Sequence, residues 1–247
     1  RLLSRIHRYT LDTLRKEIQP VSSADFMRFL FQWQHVSHET VQEGYVALQK
    51  ILEQLEGFEA QAAAWEGDII PSRIHNYEHS FLDSIFLSGS IIWGRFRNNA
   101  NGLTNPIKTT PISLIGRTNI DTWNTSHGLN GNYETLKHHT RQVHDILQKR
   151  GACFFDQIVR ETGLLPSQVE EAMSDLIALG VLTSDSYTGL RAFLAAGKFK
   201  TSGRKNSNAN IFNLQSAGRW SLIEGSGRLN EDQTRISAIA KKLLLRY

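Results

Sequence analysis

The chain has 247 residues and a formal net charge of +4, from 28 basic and 24 acidic side chains, a length that allows one large domain or two to three small ones. No apolar run approaches the roughly 20 residues of a membrane span, and no secretion leader is visible, so we expect a cytoplasmic protein without a membrane partner. The single cysteine, Cys153, excludes an internal disulfide and a cysteine zinc cluster.

Residues 1–36 are predicted to be a helical segment of two helices. Apolar residues at helical spacing mark the first helix, and Pro20 ends it. The run from Ser22 to Asp25 resembles a capping box that opens the second helix. A bulky apolar stripe that ends at Trp33 then follows on this helix.

Residues 37–117 have the pattern of a winged-helix-like module. The predicted elements are three helices, a strand, a polar loop and a second strand, at about 44–56, 59–70, 78–88, 91–96, 98–110 and 111–117. The following residues, 118–133, are polar and rich in turn-forming side chains, and we expect them to form a linker.

Residues 134–223 repeat this order and are predicted to be a second winged-helix domain. The elements are three helices, a short strand, a loop and two strands, at about 134–150, 154–162, 166–180, 181–183, 197–210, 211–214 and 218–223. Duplication of the unit favours tandem winged helices over an unrelated helical domain with a hairpin. Residues 224–247 are expected to be a linker and the start of a further module. The predicted fold class is mainly α with small β-hairpins or a β-barrel element, in tandem winged-helix-like modules.

Basic side chains are concentrated in two stretches that contain no acidic residue, 84–120 and 186–223. Together these acid-free stretches hold ten positive charges, while the rest of the chain has 18 basic and 24 acidic residues. Each stretch includes a predicted wing. Segregated positive charge is the expected footprint of a polyanion partner.

The wings are the expected nucleic-acid contacts. A third helix that reads the major groove needs Arg, Lys, Asn or Gln toward the bases, whereas both third helices here carry carboxylates. Flexible basic wings suit contact with the phosphate backbone, independent of sequence. The candidate binding residues are Lys198, Lys200, Arg204, Lys205 and Arg219 in the second stretch and Arg95, Arg97 and Lys108 in the first. Trp93 and Trp220 lie within the stretches and are candidates for stacking on an unpaired base, with packing in the sheet as the alternative.

The sequence contains no complete motif for catalysis or metal binding. His75 to His79 has the H-x-x-E-H spacing, but it straddles a predicted helix start and has no third ligand nearby. The Gly197-Lys198 pair lacks the preceding glycine and following Ser or Thr of a P-loop. Cys153 precedes two phenylalanines, which favours a buried thiol over a nucleophile. No catalytic, cofactor-binding or metal-binding residue is therefore assigned.

The segments 5–36, 54–74 and 81–95, which include FMRFLFQWQHV and FLDSIFLSGSIIWGR, resemble the DEAD/H-associated region of the large helicase-related (Lhr) family. This family comprises superfamily II DEAD/H-type ATP-dependent helicases. The segments 146–194 and 218–222 are similar to the winged helix that follows that region, at the end of the helicase core. The similarity leaves out 97–135 and 197–215, which include both wing loops.

The resemblance implies a nucleic-acid-binding accessory segment of a helicase that moves 3′ to 5′, unwinds DNA or RNA:DNA hybrids and acts in DNA repair. Single-stranded or forked DNA, or an RNA:DNA hybrid, would be its partner near the nucleoid. Upstream RecA-like motor domains would bind ATP and Mg²⁺, and further winged helices would follow. The parent would be an ATP hydrolase, whereas this segment contains no motor or catalytic motif.

Two alternatives remain open at this point. The first is a glycosylase-like base-excision module, which needs a carboxylate in a pocket that faces an extruded base. The second is an architectural or oligomer-forming array, in which the apolar faces of the third helices bind protein.

Overall fold

The computed structural model describes residues 2–17, 20–96, 109–123, 129, 132–199, 214–215, 217–223 and 232–247. Within these ranges the chain is mainly helical, with two antiparallel three-stranded sheets and one parallel strand pair. The predicted fold class is confirmed. None of the helices in these ranges is long and apolar enough to cross a membrane.

Two N-terminal helices, α1 (Leu2–Glu17) and α2 (Ser23–Trp33), lie where the sequence predicts them. The Ser22 hydroxyl oxygen accepts a hydrogen bond from the backbone N–H of Asp25 at 3.1 Å, which caps α2. Neither helix buries a side chain among those described. Their apolar stripes therefore face outward, unlike those of the helices that follow.

The first winged-helix module contains eight short elements. They are β1 (Gln42–Glu43), α3 (Gly44–Gln54), β2 (Ala60–Gln61), α4 (Ala62–Ala64), β3 (Ile74–His75), α5 (His79–Leu87), β4 (Ile91–Gly94) and β5 (Pro111–Gly116). A π-helical turn, Trp65–Ile69, continues α4. The three-stranded sheet has the order β2-β5-β4, and β1 pairs with β3 in parallel. The helix predicted at 59–70 is wrong at its start, because Ala60 and Gln61 pair with β5 as a strand.

The predicted linker is folded at its beginning. A 3₁₀ turn, Arg117–Asn119, leads directly into α6 (Ile120–Trp123). The Trp123 ring packs on the backbone of Gly57 so closely that a Cβ at this position would lie 2.4 Å from the indole. This segment therefore covers the end of the first module instead of crossing freely to the second.

The second module repeats the order of the first. Its elements are α7 (His138–Arg150), β6 (Cys153–Phe154), α8 (Phe155–Thr162), α9 (Pro166–Ala178), β7 (Leu182–Ser184), α10 (Tyr187–Phe199) and β8 (Arg219–Leu222). Its sheet has the order β6-β8-β7, which matches β2-β5-β4 position by position. The duplicated winged-helix pattern is thus present in the topology.

Helix α10 has no counterpart in the sequence prediction, which assigned no element between the strand at 181–183 and the loop at 197–210. Ser186 caps the helix, since its hydroxyl oxygen accepts a hydrogen bond from the Thr188 N–H at 3.0 Å. Tyr187, Leu190 and Phe193 follow at helical spacing and are all buried. The predicted strand at 211–214 lies largely outside the described residues, and its last residue is helical.

The two modules share one hydrophobic core along the edge strands β4 and β7. The Thr183 hydroxyl donates a hydrogen bond to the Trp93 carbonyl at 2.7 Å. Gly180 lies so close to Arg95 that a Cβ there would be 2.4 Å from the Arg95 carbonyl oxygen. These two contacts show that β4 and β7 run antiparallel, so the chain leaves the two strands at opposite ends of the shared edge.

The last helix, α11 (Asp232–Arg246), packs back on the first module. The carboxylate of Glu56 is 3% exposed and forms an ion pair with Lys242. It also accepts hydrogen bonds from the Asn119 side-chain amide at 2.6 Å and the Trp123 indole N–H at 3.3 Å. One buried carboxylate therefore ties α11 and the α6 segment to the end of α3.

Candidate nucleic-acid interface

The third helix of the first module, α5, contacts α10 of the second along one face. The Arg191 guanidinium on α10 donates to both carboxylate oxygens of Glu66, at 2.6 and 2.8 Å, and to Asp83 on α5 at 2.9 Å. The Phe86 and Tyr187 rings also meet across this contact, with centroids 5.4 Å apart. A major groove cannot approach a helix face that another helix already occupies.

Glu66 is the centre of a polar cluster at this contact. Besides Arg191, it accepts hydrogen bonds from the Tyr77 hydroxyl at 2.6 Å and from His79 Nδ1 at 2.9 Å. Burial alone would raise the pKa of Glu66, but the hydrogen bonds from Arg191, Tyr77 and His79 outweigh it and hold that pKa below its ordinary value. The carboxylate is therefore charged at neutral pH and fully engaged in joining the modules.

The third helix of the second module, α9, presents paired carboxylates outward. The Lys137 ammonium lies 2.5 Å from Glu171 and 3.3 Å from Asp175, and the hydrogen bond with Glu171 is the main reason that the pKa of Lys137 is raised. His139, Glu171 and Asp175 have potential metal-ligand atoms within 4.8 Å of one another. Because the lysine already pairs with both carboxylates, we assign no metal ion to them. A helix with this surface would repel phosphate.

The apolar faces of both third helices are buried in the shared core. Leu82, Ile85 and Phe86 of α5 are at most 1% exposed, and so are Met173 and Leu176 of α9. The predicted architectural alternative, in which these faces bind protein, is therefore wrong in its location. The exposed large apolar side chains lie instead mainly on α1, α2 and α11.

Two of the predicted arginines have defined partners. Arg95 Nη1 donates to the Ala178 carbonyl at 2.8 Å, and burial lowers the pKa of Arg95. It thus links the end of β4 to the end of α9, and its contact with phosphate stays a prediction. Arg219 pairs with Asp185 at 3.0 Å, yet its side chain remains 56% exposed at the surface.

The other predicted basic residues are incompletely described. Lys198 lies in the last turn of α10, without a described side chain. The remaining candidates lie outside the described residues: Arg97, Lys108, Lys200, Arg204 and Lys205. Their role stays a prediction from the charge pattern.

Trp93 and Trp220 are core residues in this structure. Both are 0% exposed, and their rings meet edge to face with centroids 6.3 Å apart. The Trp93 indole donates to the Ser186 carbonyl at 3.3 Å, and Trp220 packs on Phe193. The hypothesis that they stack on an unpaired base is therefore corrected, because neither ring has an accessible face.

An exposed aromatic pair that the sequence analysis did not select lies on α2. The rings of Phe29 and Trp33 stack with centroids 6.1 Å apart and an angle of 18° between planes. They line a cavity of about 540 Å³ between α2, α3 and α11. The sequence signal is the apolar stripe of α2, but spacing alone does not show whether such a stripe is exposed.

These features define a pair of edge-joined winged helices that does not place its third helices for groove reading. Residues 21–115 match the family model for the winged-helix domain of the large helicase-related protein. The chain belongs to the large helicase-related (Lhr) family, which confirms the resemblance found in the sequence.

Two curated proteins are similar over most of the chain. One is the Lhr helicase/probable uracil glycosylase of Mycolicibacterium smegmatis, 30% identical over 200 residues, which covers 78% of this chain and 12% of that protein. The other is the Lhr helicase/uracil glycosylase of Escherichia coli, 26% identical over 283 residues, which covers 98% of this chain and 17% of that protein. The chain thus corresponds to a small part of each relative, so their activities are not transferred to it directly.

Proposed function

We propose that this chain is a nucleic-acid-binding accessory segment of an ATP-dependent helicase, which holds the phosphate backbone without reading sequence. The observation that carries the proposal is that neither third helix presents a basic surface to a DNA groove. Arg191 of α10 pairs with a carboxylate on one face of α5, and α9 presents carboxylates. A winged helix without an available third helix keeps its wings for contact, and both wings belong to acid-free stretches.

Contact that is independent of sequence suits a motor-driven enzyme, because a translocating strand presents every sequence in turn. We propose single-stranded or forked DNA, or an RNA:DNA hybrid, as the partner during DNA repair. ATP and Mg²⁺ would bind to motor domains of the same polypeptide and not to this segment. The segment itself would hold or guide the strand.

The shared edge supports a division of this contact into two sites. Since β4 and β7 run antiparallel, the chain leaves β4 toward the first wing, and leaves β7 toward α10 and the second wing, at opposite ends of that edge. The Arg191 cluster and the common core hold the two modules in one arrangement. The two stretches would therefore contact separate phosphates of a bound strand.

The test is fluorescence anisotropy with single-stranded, duplex and forked DNA and an RNA:DNA hybrid over a salt series. The variant changes Lys198, Lys200, Arg204 and Lys205 to Gln. We expect wild type to bind, and the log–log salt slope to fall in the variant by roughly 0.7–0.9 per lost phosphate contact.

A matched control removes four exposed basic side chains of α1, which lies outside both acid-free stretches: Arg5, Arg8, Arg15 and Lys16. It makes the same change in net charge and should leave the slope near that of wild type. Equal losses in both variants would show a general charge effect, and no binding by wild type at low salt would overturn the proposal.

Base excision is the second candidate, because the names of both relatives include uracil glycosylase. The α2–α3–α11 cavity contains a carboxylate, Glu53, as that chemistry requires. Glu53 is exposed to solvent, however, whereas this chemistry needs a carboxylate in an enclosed pocket. Incubation with uracil-containing single-stranded DNA should therefore give no abasic product. Product that disappears in Glu53→Gln would put this candidate first.

A further inference from the structure

We propose that the cavity between α2, α3 and α11 holds one unpaired base of a bound strand, stacked on the Phe29–Trp33 pair. The inference rests on the proposed nucleic-acid binding and adds a specific site to it. It also replaces the stacking role first predicted for Trp93 and Trp220, whose rings are buried.

Trp33 is the only one of the five tryptophans with an accessible ring. Its exposed fraction is 41%, whereas Trp65, Trp93 and Trp220 are 0% exposed and Trp123 is 8% exposed. Phe29, 49% exposed, lies nearly parallel beside it. Stacking of a base requires an open aromatic face, and bases of any sequence can use it. Such a contact therefore fits binding that does not read sequence.

The Trp33 ring is held in place before any ligand binds. Its indole N–H donates to the Leu245 carbonyl at 3.1 Å, and the Gln54 side-chain amide donates to the Trp33 carbonyl at 3.0 Å. Gln34 also contacts the Arg246 carbonyl, which fixes the end of α2 against α11. A platform that is already ordered loses little conformational entropy when a base stacks on it.

The walls of the cavity combine apolar surface with polar side chains, as a nucleotide requires. Most of the lining surface is apolar, with Phe29, Trp33 and Leu245 as its apolar side chains, which suits a base, and the other six side chains are polar or charged. Lys50 is exposed and is suited to a phosphate, while the amide of Gln32 has both a donor and an acceptor for a base edge. The volume of about 540 Å³ lies within the range of small-ligand sites.

The experiment compares Trp33→Ala and Phe29→Ala with wild type, using oligothymidylate and an abasic oligonucleotide of the same length. We expect each variant to bind oligothymidylate about 5- to 150-fold more weakly, because stacking is lost. Binding of the abasic strand should not change, because it has no base to stack. Trp33→Phe keeps an aromatic face and should retain most of the affinity.

The matched control is Leu244→Ala, which removes an exposed apolar side chain of α11 that does not line the cavity. It should bind both strands as wild type does, and circular dichroism should show that all variants are folded.

Equal binding of both strands by wild type, or unchanged binding by Trp33→Ala, would overturn the inference. Salt-dependent binding in that case would leave the proposed function in place, whereas no binding of any strand would remove both. Should Trp33→Ala alter only self-association, measured by light scattering, the surface would be a protein contact and the inference would again be wrong.

Discussion

The Arg191 guanidinium contacts two carboxylates of the other module, and all three groups are largely withdrawn from water. The side chains of Arg191, Glu66 and Asp83 are 23%, 11% and 30% exposed. Removing one partner of such a pair leaves charge that water cannot solvate fully. We expect Arg191→Met to lower the free energy of unfolding by about 3–5 kcal/mol, measured by urea denaturation.

Arg219→Met is the control for this change. Arg219 also pairs with a carboxylate, Asp185, but these side chains are 56% and 36% exposed. Exposed pairs contribute about 0–1 kcal/mol. Similar losses in the two variants would show that the Arg191 cluster has no special role in joining the modules.

Glu66 gives this cluster a defined dependence on pH. Because the folded-state pKa of Glu66 is lower than its unfolded value, the folded state binds fewer protons there. The stabilisation is present above the unfolded pKa, near 4.3, and is lost as the pH falls through the lower folded value. Glu66→Gln should thus destabilise the protein at pH 7 and have a smaller effect at about pH 3. Equal effects in urea denaturation at both pH values would contradict this account.

At the scale of elements, the α6 segment depends on a glycine. Gly57 has φ +72°, and a Cβ there would lie 2.4 Å from the Trp123 ring. Gly89 has nearly the same conformation, φ +71°, but nothing within 4 Å of the added atom. Gly89→Ala should therefore lower the free energy of unfolding by about 1–2 kcal/mol, which is the cost of a left-handed backbone conformation for alanine. Gly57→Ala should lower it by clearly more. Equal losses of stability in the two variants, measured by thermal unfolding, would mean that the Trp123 ring moves aside freely.

The elements that spacing predicted correctly are those whose signals are local. Pro20 and the Ser22 cap mark the ends of α1 and α2, and the remaining predicted helices apart from α4 follow their apolar periodicity. Strand β2 was missed because its pairing with β5 is a long-range contact that outweighs helical spacing. Helix α10 carried a local signal, Tyr187, Leu190 and Phe193, which the surrounding basic charge obscured.

The candidate site was harder to predict, for a related reason. Charge and residue type can be read from a sequence, but exposure and partners depend on the packing of distant segments. Trp93 and Trp33 are both aromatic residues near the end of an element, yet one lies in the shared core and the other at the surface. Arg191 was counted as a free positive charge, and only the contact with α5 reveals its carboxylate partners.

At the scale of the whole molecule, the antiparallel arrangement of β4 and β7 makes affinity for DNA depend on the length of the oligonucleotide. The chain leaves β4 and β7 at opposite ends of the joined edge, and on the proposed function we expect a short oligonucleotide to contact only one basic stretch at a time. A longer strand can contact both, and its second contact then benefits from a high effective concentration. Two variants separate these cases. One changes Arg97 and Lys108 of the first stretch to Gln. The other changes Lys198, Lys200, Arg204 and Lys205 of the second stretch to Gln.

With oligonucleotides of about 4 nucleotides, each variant should lose at most about twofold in affinity, because the other site remains available. With strands of about 16 nucleotides or more, each should lose roughly 10²-fold or more, since bivalent binding becomes monovalent. Anisotropy titrations at one salt concentration measure both. Losses that do not depend on strand length would indicate a single binding site. The edge-joined modules would then serve stability alone, and the strand would follow a path confined to one module.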